Sequence, residues 1–325
     1  MTDISAALRF RRIGIITIFA VYFLILVGGI VRASGAGMGC PDWPTCFGQL
    51  VPPTSEAQLP QNYQEIYAQR GYANTRFNPV KTWTEYLNRL TGVTIGLLIM
   101  FTVWYSRVYW KSDRAIFTLS LGVFIMVGFQ GWLGSRVVAS NLQPYMITLH
   151  MLLALAIVAL LIYAVARSQK AFISTIDIGA LPAKLRLVLI AAMIMTPLQV
   201  AMGTQVREAV DVIANNHGYI DRHYWHDDFP IIFYVHRSFS ALILLTNLWL
   251  FWQIHRSVSR DNPLFRIAAA LLALLVIAIG AGITMDRLGM PPAAQPIHLL
   301  MANLIFGAQF FLYICLHYAA SRTAD

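Results

Sequence analysis

Three histidines, His150, His236 and His298, each lie shortly after the start of a long apolar stretch, in a chain with 8 histidines and only 12% charged residues. An ionisable ring in apolar surroundings is costly unless it is paired or put to use. A single such histidine most often hydrogen-bonds a neighbouring helix, but three at matching positions point to a shared binding task. Neither a carboxylate nor a thiol stands beside them at a zinc spacing such as H-E-x-x-H. Two imidazoles from different helices suit the axial positions of a heme iron. His236 and His298 make such a pair in the second half of the chain. The matching residues in the first half are Asn88 and His150. Asparagine is a poor iron ligand, so the first site is expected to be five-coordinate or to take another sixth ligand, and oxygen chemistry is possible there.

Heme propionates need cations where the dielectric is low. Arg32, Arg136, Arg207 and Arg287 fall at the ends of alternate apolar stretches, and Arg89 and Arg237 directly follow Asn88 and His236. Each could instead reach outward to lipid headgroups. Glu85 precedes Arg89 by four residues, which suits an ion pair along one helix face. The same spacing puts its carboxylate one turn from Asn88, beside the open iron face. Cys40-Pro-Asp-Trp-Pro-Thr-Cys46 reads as a structural disulfide or as a redox-active pair. Cys315 reads as packing. His217, His223 and His226 lie among Asp221, Asp227 and Asp228 and read as a solvated loop, with a surface metal site as the alternative. His255 and His317 have no evident partners. Nucleotide-binding loops, nucleophile elbows and nucleic-acid motifs are absent.

The elements that position these residues follow from composition. The chain has 325 residues, 58% of them hydrophobic, against about 45–50% apolar and about 25% charged in soluble domains. This excludes a water-soluble enzyme, a disordered chain and, with 3 cysteines, a disulfide scaffold. Eight apolar stretches are long enough to cross a bilayer, at about 11–31, 84–106, 115–135, 145–167, 184–204, 231–253, 265–285 and 296–318. The first could pass for a secretion signal, but its run is too long, so it reads as a retained span. With the N-terminus inside, the segments on that side hold 14 of the 24 cations and five of the 15 acids, which accounts for the whole surplus of +9. Both termini are therefore expected in the cytoplasm. Two long outer loops, about 32–83 and 205–230, put recognition or chemistry on the outer face.

The halves also repeat. Gly28-Gly29-Ile30-Val31-Arg32 matches Gly203-Thr204-Gln205-Val206-Arg207, and Tyr86-Leu87-Asn88-Arg89 matches Tyr234-Val235-His236-Arg237. Gly131 to Arg136 matches Gly282 to Arg287, and His150 matches His298. Four spans per half keep the two halves parallel. The predicted fold is an all-α polytopic membrane protein of eight transmembrane helices, arranged as two pseudo-symmetric four-helix bundles, residues 1–170 and 171–325. Such bundles house cofactors between facing helices.

Over essentially its full length the sequence resembles the heme A synthase family. Gly28 to Arg32, the Gly39 to Cys46 loop, Glu85-Tyr86-Leu87-Asn88-Arg89, Gln130-Gly131-Trp132-Leu133-Gly134 and the helix-end histidines carry the resemblance. It implies oxidation of the heme O methyl group to the formyl group of heme A, for terminal oxidase assembly. It implies a heme b between His236 and His298, and heme O as substrate in the first half, with His150 as a ligand and Glu85 matching an acidic residue important for activity. Arg89, Arg136, Arg237 and Arg287 are the expected propionate partners. Many members carry histidine where this chain has Asn88, which places Asn88 in the reaction site of a subgroup with one protein ligand to the substrate iron. Expected partners are heme O, a heme O synthase, an electron donor (a quinol or a redox protein) and a second copy of the chain. The expected location is the plasma membrane, with the reactive side facing outward. A heme carrier or assembly protein without catalysis, and a diheme subunit that oxidises quinol, are the competing readings.

Overall fold

The structure, a computed structural model, describes residues 4–217, 225 and 227–321. Eight long helices account for most of them: α1 (Ile4–Ala33), α2 (Pro79–Ser106), α3 (Arg114–Ala139), α4 (Pro144–Ser168), α5 (Lys184–Asn216), α6 (Ile231–Ser257), α7 (Pro263–Arg287) and α8 (Ala294–Ser321). All eight are long and apolar enough to cross a membrane. A helix of 25 residues is about 37 Å long, against a hydrocarbon core of about 30 Å. Every helix therefore outruns the apolar stretch that reveals it.

Local sequence explains where several helices start. Asn78 accepts a hydrogen bond from the Lys81 backbone N–H at 3.1 Å, Asp113 from Ala115 at 3.2 Å and Asn262 from Leu264 at 2.8 Å. These side chains satisfy amides that lack a partner within the helix. Pro79, Pro144 and Pro263 occupy first-turn positions, where a missing N–H costs nothing.

The first four helices close a ring, with α1 on α2, α2 on α3, α3 on α4 and α4 back on α1. The last four do the same, with α8 returning to α5. The two groups meet along α1–α8, α4–α5 and α4–α8. Thr148 and Thr204 share a hydrogen bond of 2.6 Å across the α4–α5 seam. At the α8–α1 seam, Pro296 lies 3.1 Å from where a side chain on Gly29 would begin. Thr148 and Pro296 each stand two residues before a histidine, so the two seams use matching positions.

The long connection 34–78 and the shorter 140–143 and 288–293 share one end of the molecule with the end of α5 and the start of α6. The largest core cluster lies toward the opposite end, with Ile99, Leu161, Leu189, Leu250, Ile254 and Leu312 fully buried. Each of these six lies on the far side of the histidine level in its own helix. The histidines therefore sit above an apolar floor.

Two features differ from the expectation. Helix α5 runs to Asn216, twelve residues beyond the predicted end of its span, because Val210, Ile213 and Ala214 bury themselves against Trp225. The segment expected as a loop from residue 205 is thus largely helix. The first long connection contains a one-turn helix, Tyr63–Ile66, and its own core, in which Phe47 packs edge-on against Tyr63, Tyr67, Tyr72 and Phe77. Burial raises the Tyr72 phenol well above its usual range, so its hydroxyl stays protonated and donates to the Met38 carbonyl at 2.8 Å.

Candidate functional site

Taken in successive pairs (α1–α2, α3–α4, α5–α6 and α7–α8), the long helices bring one glycine to one histidine in three pairs of the four. A side chain begun on Gly134 in α3 would meet the His150 ring of α4 at 3.4 Å, whereas Gly131, the residue the sequence matched to Gly282, has nothing within 4 Å, so the repeat is offset by three residues here. Gly203 in α5 stands in the same relation to His236 of α6, at 3.2 Å, and Gly282 in α7 to His298 of α8, at 3.4 Å. The absent Cβ lets each imidazole lie against the neighbouring backbone. By the repeat, the fourth pair is Gly28 in α1 with Asn88 in α2, and there nothing lies within 4 Å of the Cβ position.

The residue four positions before each glycine also contacts the histidine's helix. Gln130 donates its amide to the His150 carbonyl at 2.9 Å, and Gln199 donates to the His236 carbonyl at 2.9 Å. Ala278 instead offers its backbone carbonyl to the His298 Nδ1 at 2.7 Å. A carbonyl only accepts, so Nδ1 carries the proton and Nε2 keeps a free lone pair, the form that binds a metal. Sequence reasoning missed the two glutamines as a pair. Their shared Gln-x-x-x-Gly spacing, 130/134 and 199/203, was the signal that could have found them.

His236 and His298 face each other with ring centres 6.3 Å apart and planes at 61°. Two metal–imidazole bonds of about 2 Å each, extended by the ring radii, span about that distance. His236 Nδ1 and His150 Nδ1 are buried without a hydrogen-bond partner, as are Gln199 Oε1, Gln130 Oε1 and Asn88 Oδ1. Buried polar atoms are nearly always satisfied, and these five belong to two of the histidines, to the glutamines that hold their helices and to the asparagine at the matching position. The facing ring pair, with the His298 Nε2 lone pair free, fits a bound porphyrin iron. Among the described residues no three His, Cys, Asp or Glu side chains form a compact metal cluster.

Glu85 and Arg89 form the ion pair along one helix face that their spacing predicts. Glu85 is 3% exposed; its Oε2 accepts from the Cys40 backbone N–H at 2.9 Å and its Oε1 from Arg89 at 2.5 Å. Arg89 also donates to the carbonyls of Asp42 (2.7 Å), Thr45 (3.0 Å) and Cys40 (3.2 Å). Together they clamp the Cys40–Cys46 loop onto α2. Gly39 is part of the clamp, since a side chain there would strike the Lys81 carbonyl at 2.4 Å.

Cys40 and Cys46 are joined in a disulfide, and both are fully buried beneath the aromatic cluster of the loop. Closing so small a loop contributes roughly 2 kcal/mol in the chain-entropy account. The burial predicts that reductant followed by a membrane-impermeant maleimide labels neither sulfur in the folded protein, while denaturation exposes both; rapid labelling of the native protein would show an accessible pair.

The remaining arginines are distributed unevenly. Arg32 and Arg207 both pair with Asp211, tying α1 to α5. Asp211 was not singled out from sequence because it falls in the part of α5 that reads as loop. Arg287 is exposed and 3.4 Å from its neighbour Asp286, and Arg237 stacks over Tyr234 and Phe233. Arg136 lines a cleft of about 730 Å³ between α3, the disulfide loop and residues 65–70. His217 pairs with Asp228 at 2.7 Å, whereas His223, His226 and Asp221 lie outside the described residues. Cys315 is free and buried, consistent with packing.

Comparison with known proteins matches residues 11–310 to a family model, COX15-CtaA, described as cytochrome oxidase assembly protein. A heme A synthase of Nitrosomonas eutropha is 25% identical over 91% of this chain and 89% of its own length. One from Methylobacterium nodulans is 25% identical over 87% and 85%. One from Shewanella oneidensis is 31% identical over 47% of this chain and 44% of its own length, under half of either.

Proposed function

Since the chain belongs to the COX15-CtaA cytochrome oxidase assembly family, we propose a division of labour between its two halves in the oxidation of heme O to heme A. The activity is that of a membrane-embedded heme A synthase, an oxidoreductase, as in the relatives that match most of its length.

The halves are read as pseudo-symmetric four-helix bundles, residues 1–170 and 171–325. The matching hairpins, the two closed rings of helices and the matching seams support this reading. The second bundle holds a resident heme b between His236 and His298. The observation that carries this assignment is the facing ring pair at 6.3 Å, with the His298 proton committed to Ala278. When bound, the heme supplies one-electron transfer. Gln199 fixes the height of His236 by holding its backbone, and Gly203 and Gly282 leave room for the Cε1 edges of the two rings against α5 and α7.

The first bundle receives heme O, with His150 as its protein ligand and Asn88 on the opposite side. Gln130 positions His150 as Gln199 does its counterpart. Glu85 and Arg89 hold the disulfide loop over the mouth of this bundle, which keeps water out of the reaction site. In this reading Glu85 is a positioning residue, because both of its oxygens are engaged by the loop and by Arg89. Arg136, in the cleft beside α3, is placed to meet a propionate; Arg237 and Arg287 are the second bundle's candidates. The excess of cations at the other end puts both termini in the cytoplasm and the long connections outside a plasma membrane. Electrons enter from a quinol or a redox protein, and heme O arrives from its synthase.

Co-expression with a source of heme O, followed by pigment extraction, tests the reading. Heme A in the extract is expected. Bound but unaltered heme O would favour a carrier without catalysis.

A further inference from the structure

The apolar floor beneath the histidines is interrupted in the second bundle by three polar side chains, Thr196, Asn247 and Gln309, which are 4%, 2% and 0% exposed. Gln309 of α8 donates its amide to the Asn247 Oδ1 of α6 at 3.2 Å. Asn247 in turn donates to the Ile243 carbonyl of its own helix at 2.8 Å. The Thr196 hydroxyl of α5 divides its one proton between the Gln309 Oε1 at 2.9 Å and the Ala192 carbonyl at 3.0 Å. None of the polar side-chain atoms of this triad lacks a partner. Helices α6 and α8 stand diagonally across the second ring and are the two that carry His236 and His298. Asn247 and Gln309 each lie 11 residues beyond the histidine of their own helix, about 16 Å deeper. One diagonal thus meets at two levels, with the two rings facing above and the two amides bonded below.

The first bundle lacks the lower connection. The repeat that matches His236 with Asn88 and His298 with His150 also matches Asn247 with Ile99 and Gln309 with Leu161, and the match of α5 with α1 puts Val21 where Thr196 stands. All three are buried in one apolar cluster. Thr17 and Thr102 share a buried bond of 3.0 Å, but α1 and α2 are neighbours in their ring, so that bond does not join α2 to α4. An apolar contact is non-directional and lets helices slide. A buried amide parted from its partner finds no water in a membrane, so bonded helices resist separation.

We propose that Thr196, Asn247 and Gln309 are positioning residues that pin α6 to α8 and so make the second bundle a permanent seat for its heme, while the first bundle, without such a pin, opens to take in and release a porphyrin. This rests on the reading that His236 and His298 hold a heme b and His150 a substrate heme. The reaction needs that asymmetry, because the electron-carrying group must stay while substrate and product exchange.

The test uses the full chain, loaded with heme by co-expression with a heme O source and purified in detergent, with an excess of apomyoglobin as heme acceptor. Asn247→Leu combined with Gln309→Met removes both amides at nearly constant shape, so that neither is left unpaired. Heme loss from the second bundle is expected to quicken about tenfold, the effect of two interhelical hydrogen bonds of ordinary strength in a membrane. The ferric low-spin EPR signal of that heme is expected to broaden as the two rings lose their fixed relation. Thr196→Val frees Gln309 on one side and is expected to quicken the loss about threefold, which carries the test if the double variant fails to fold. Heme loss at the wild-type rate in whichever of these variants folds overturns the proposal, as does faster loss with an unaltered EPR signal, which marks the triad as packing alone. His298→Ala separates the two levels. If it loses one heme while the double variant holds its heme like the wild type, only the pin is refuted. If it loses none, the assignment of a heme to His236 and His298 is itself refuted, and the pin with it.

Discussion

Replacing His298 with alanine is expected to remove the heme of the second bundle and to lower heme A production by more than about 100-fold. That exceeds the 10–100-fold typical for loss of a partner behind a metal ligand. His298 is the better-fixed member of the pair, since its Nδ1–H is committed to the Ala278 carbonyl at 2.7 Å while its ring faces that of His236. Without it, His236 is left as one ligand on one face. The reduced-minus-oxidised spectrum and the extracted heme report the loss directly. Gly282→Leu reaches the same end by another route, because even its first carbon would lie 3.4 Å from the ring and the larger side chain must push His298 aside. An unchanged spectrum in His298→Ala would refute the assignment of heme b to this pair.

The second large effect is expected at Glu85. Its carboxylate is almost wholly buried and joins the Cys40 backbone to Arg89. Removing one partner of a buried ion pair typically costs about 3–5 kcal/mol, because the other charge loses its compensation. The value here is expected near the lower end, since Arg89 keeps its bonds to three loop carbonyls. In Glu85→Ala the Cys40 N–H has no acceptor, the disulfide loop loosens from α2, and heme O accumulates at the expense of heme A. Glu85→Gln retains an acceptor for Cys40 and is expected to recover part of both activity and thermal stability. A direct role in the chemistry without the clamp would lower turnover in Glu85→Ala while leaving the melting temperature and the proteolytic resistance of the loop unchanged. Full heme A production in Glu85→Ala would remove the residue from the reaction altogether.

The eight spans were readable because apolar stretches of bilayer length are rare outside chains that cross a membrane. Their ends were not, because helices continue past the hydrocarbon wherever a cap or a local core supports them. Helix α5 shows this, carried on to Asn216 by packing against Trp225. The histidines were legible as a set because titratable rings in apolar helices are rare and theirs recur at matching positions. Their glutamine partners were harder to see, since one Gln in a helix says little by itself and only the Gln-x-x-x-Gly spacing shared by 130/134 and 199/203 marks the two as a pair.

Residue type and spacing alone singled out the groups with chemistry to offer: three imidazoles and one asparagine at related positions, a cysteine pair, and a carboxylate one helical turn from an arginine. Chemistry of side chains and the helical period are local properties, so a linear reading reaches them. Which groups meet depended on packing between helices far apart in the chain. Only the folded arrangement turned Glu85 and Arg89 toward the loop and tied Arg32 and Arg207 to Asp211, because side-chain direction is decided by the helix that lies opposite.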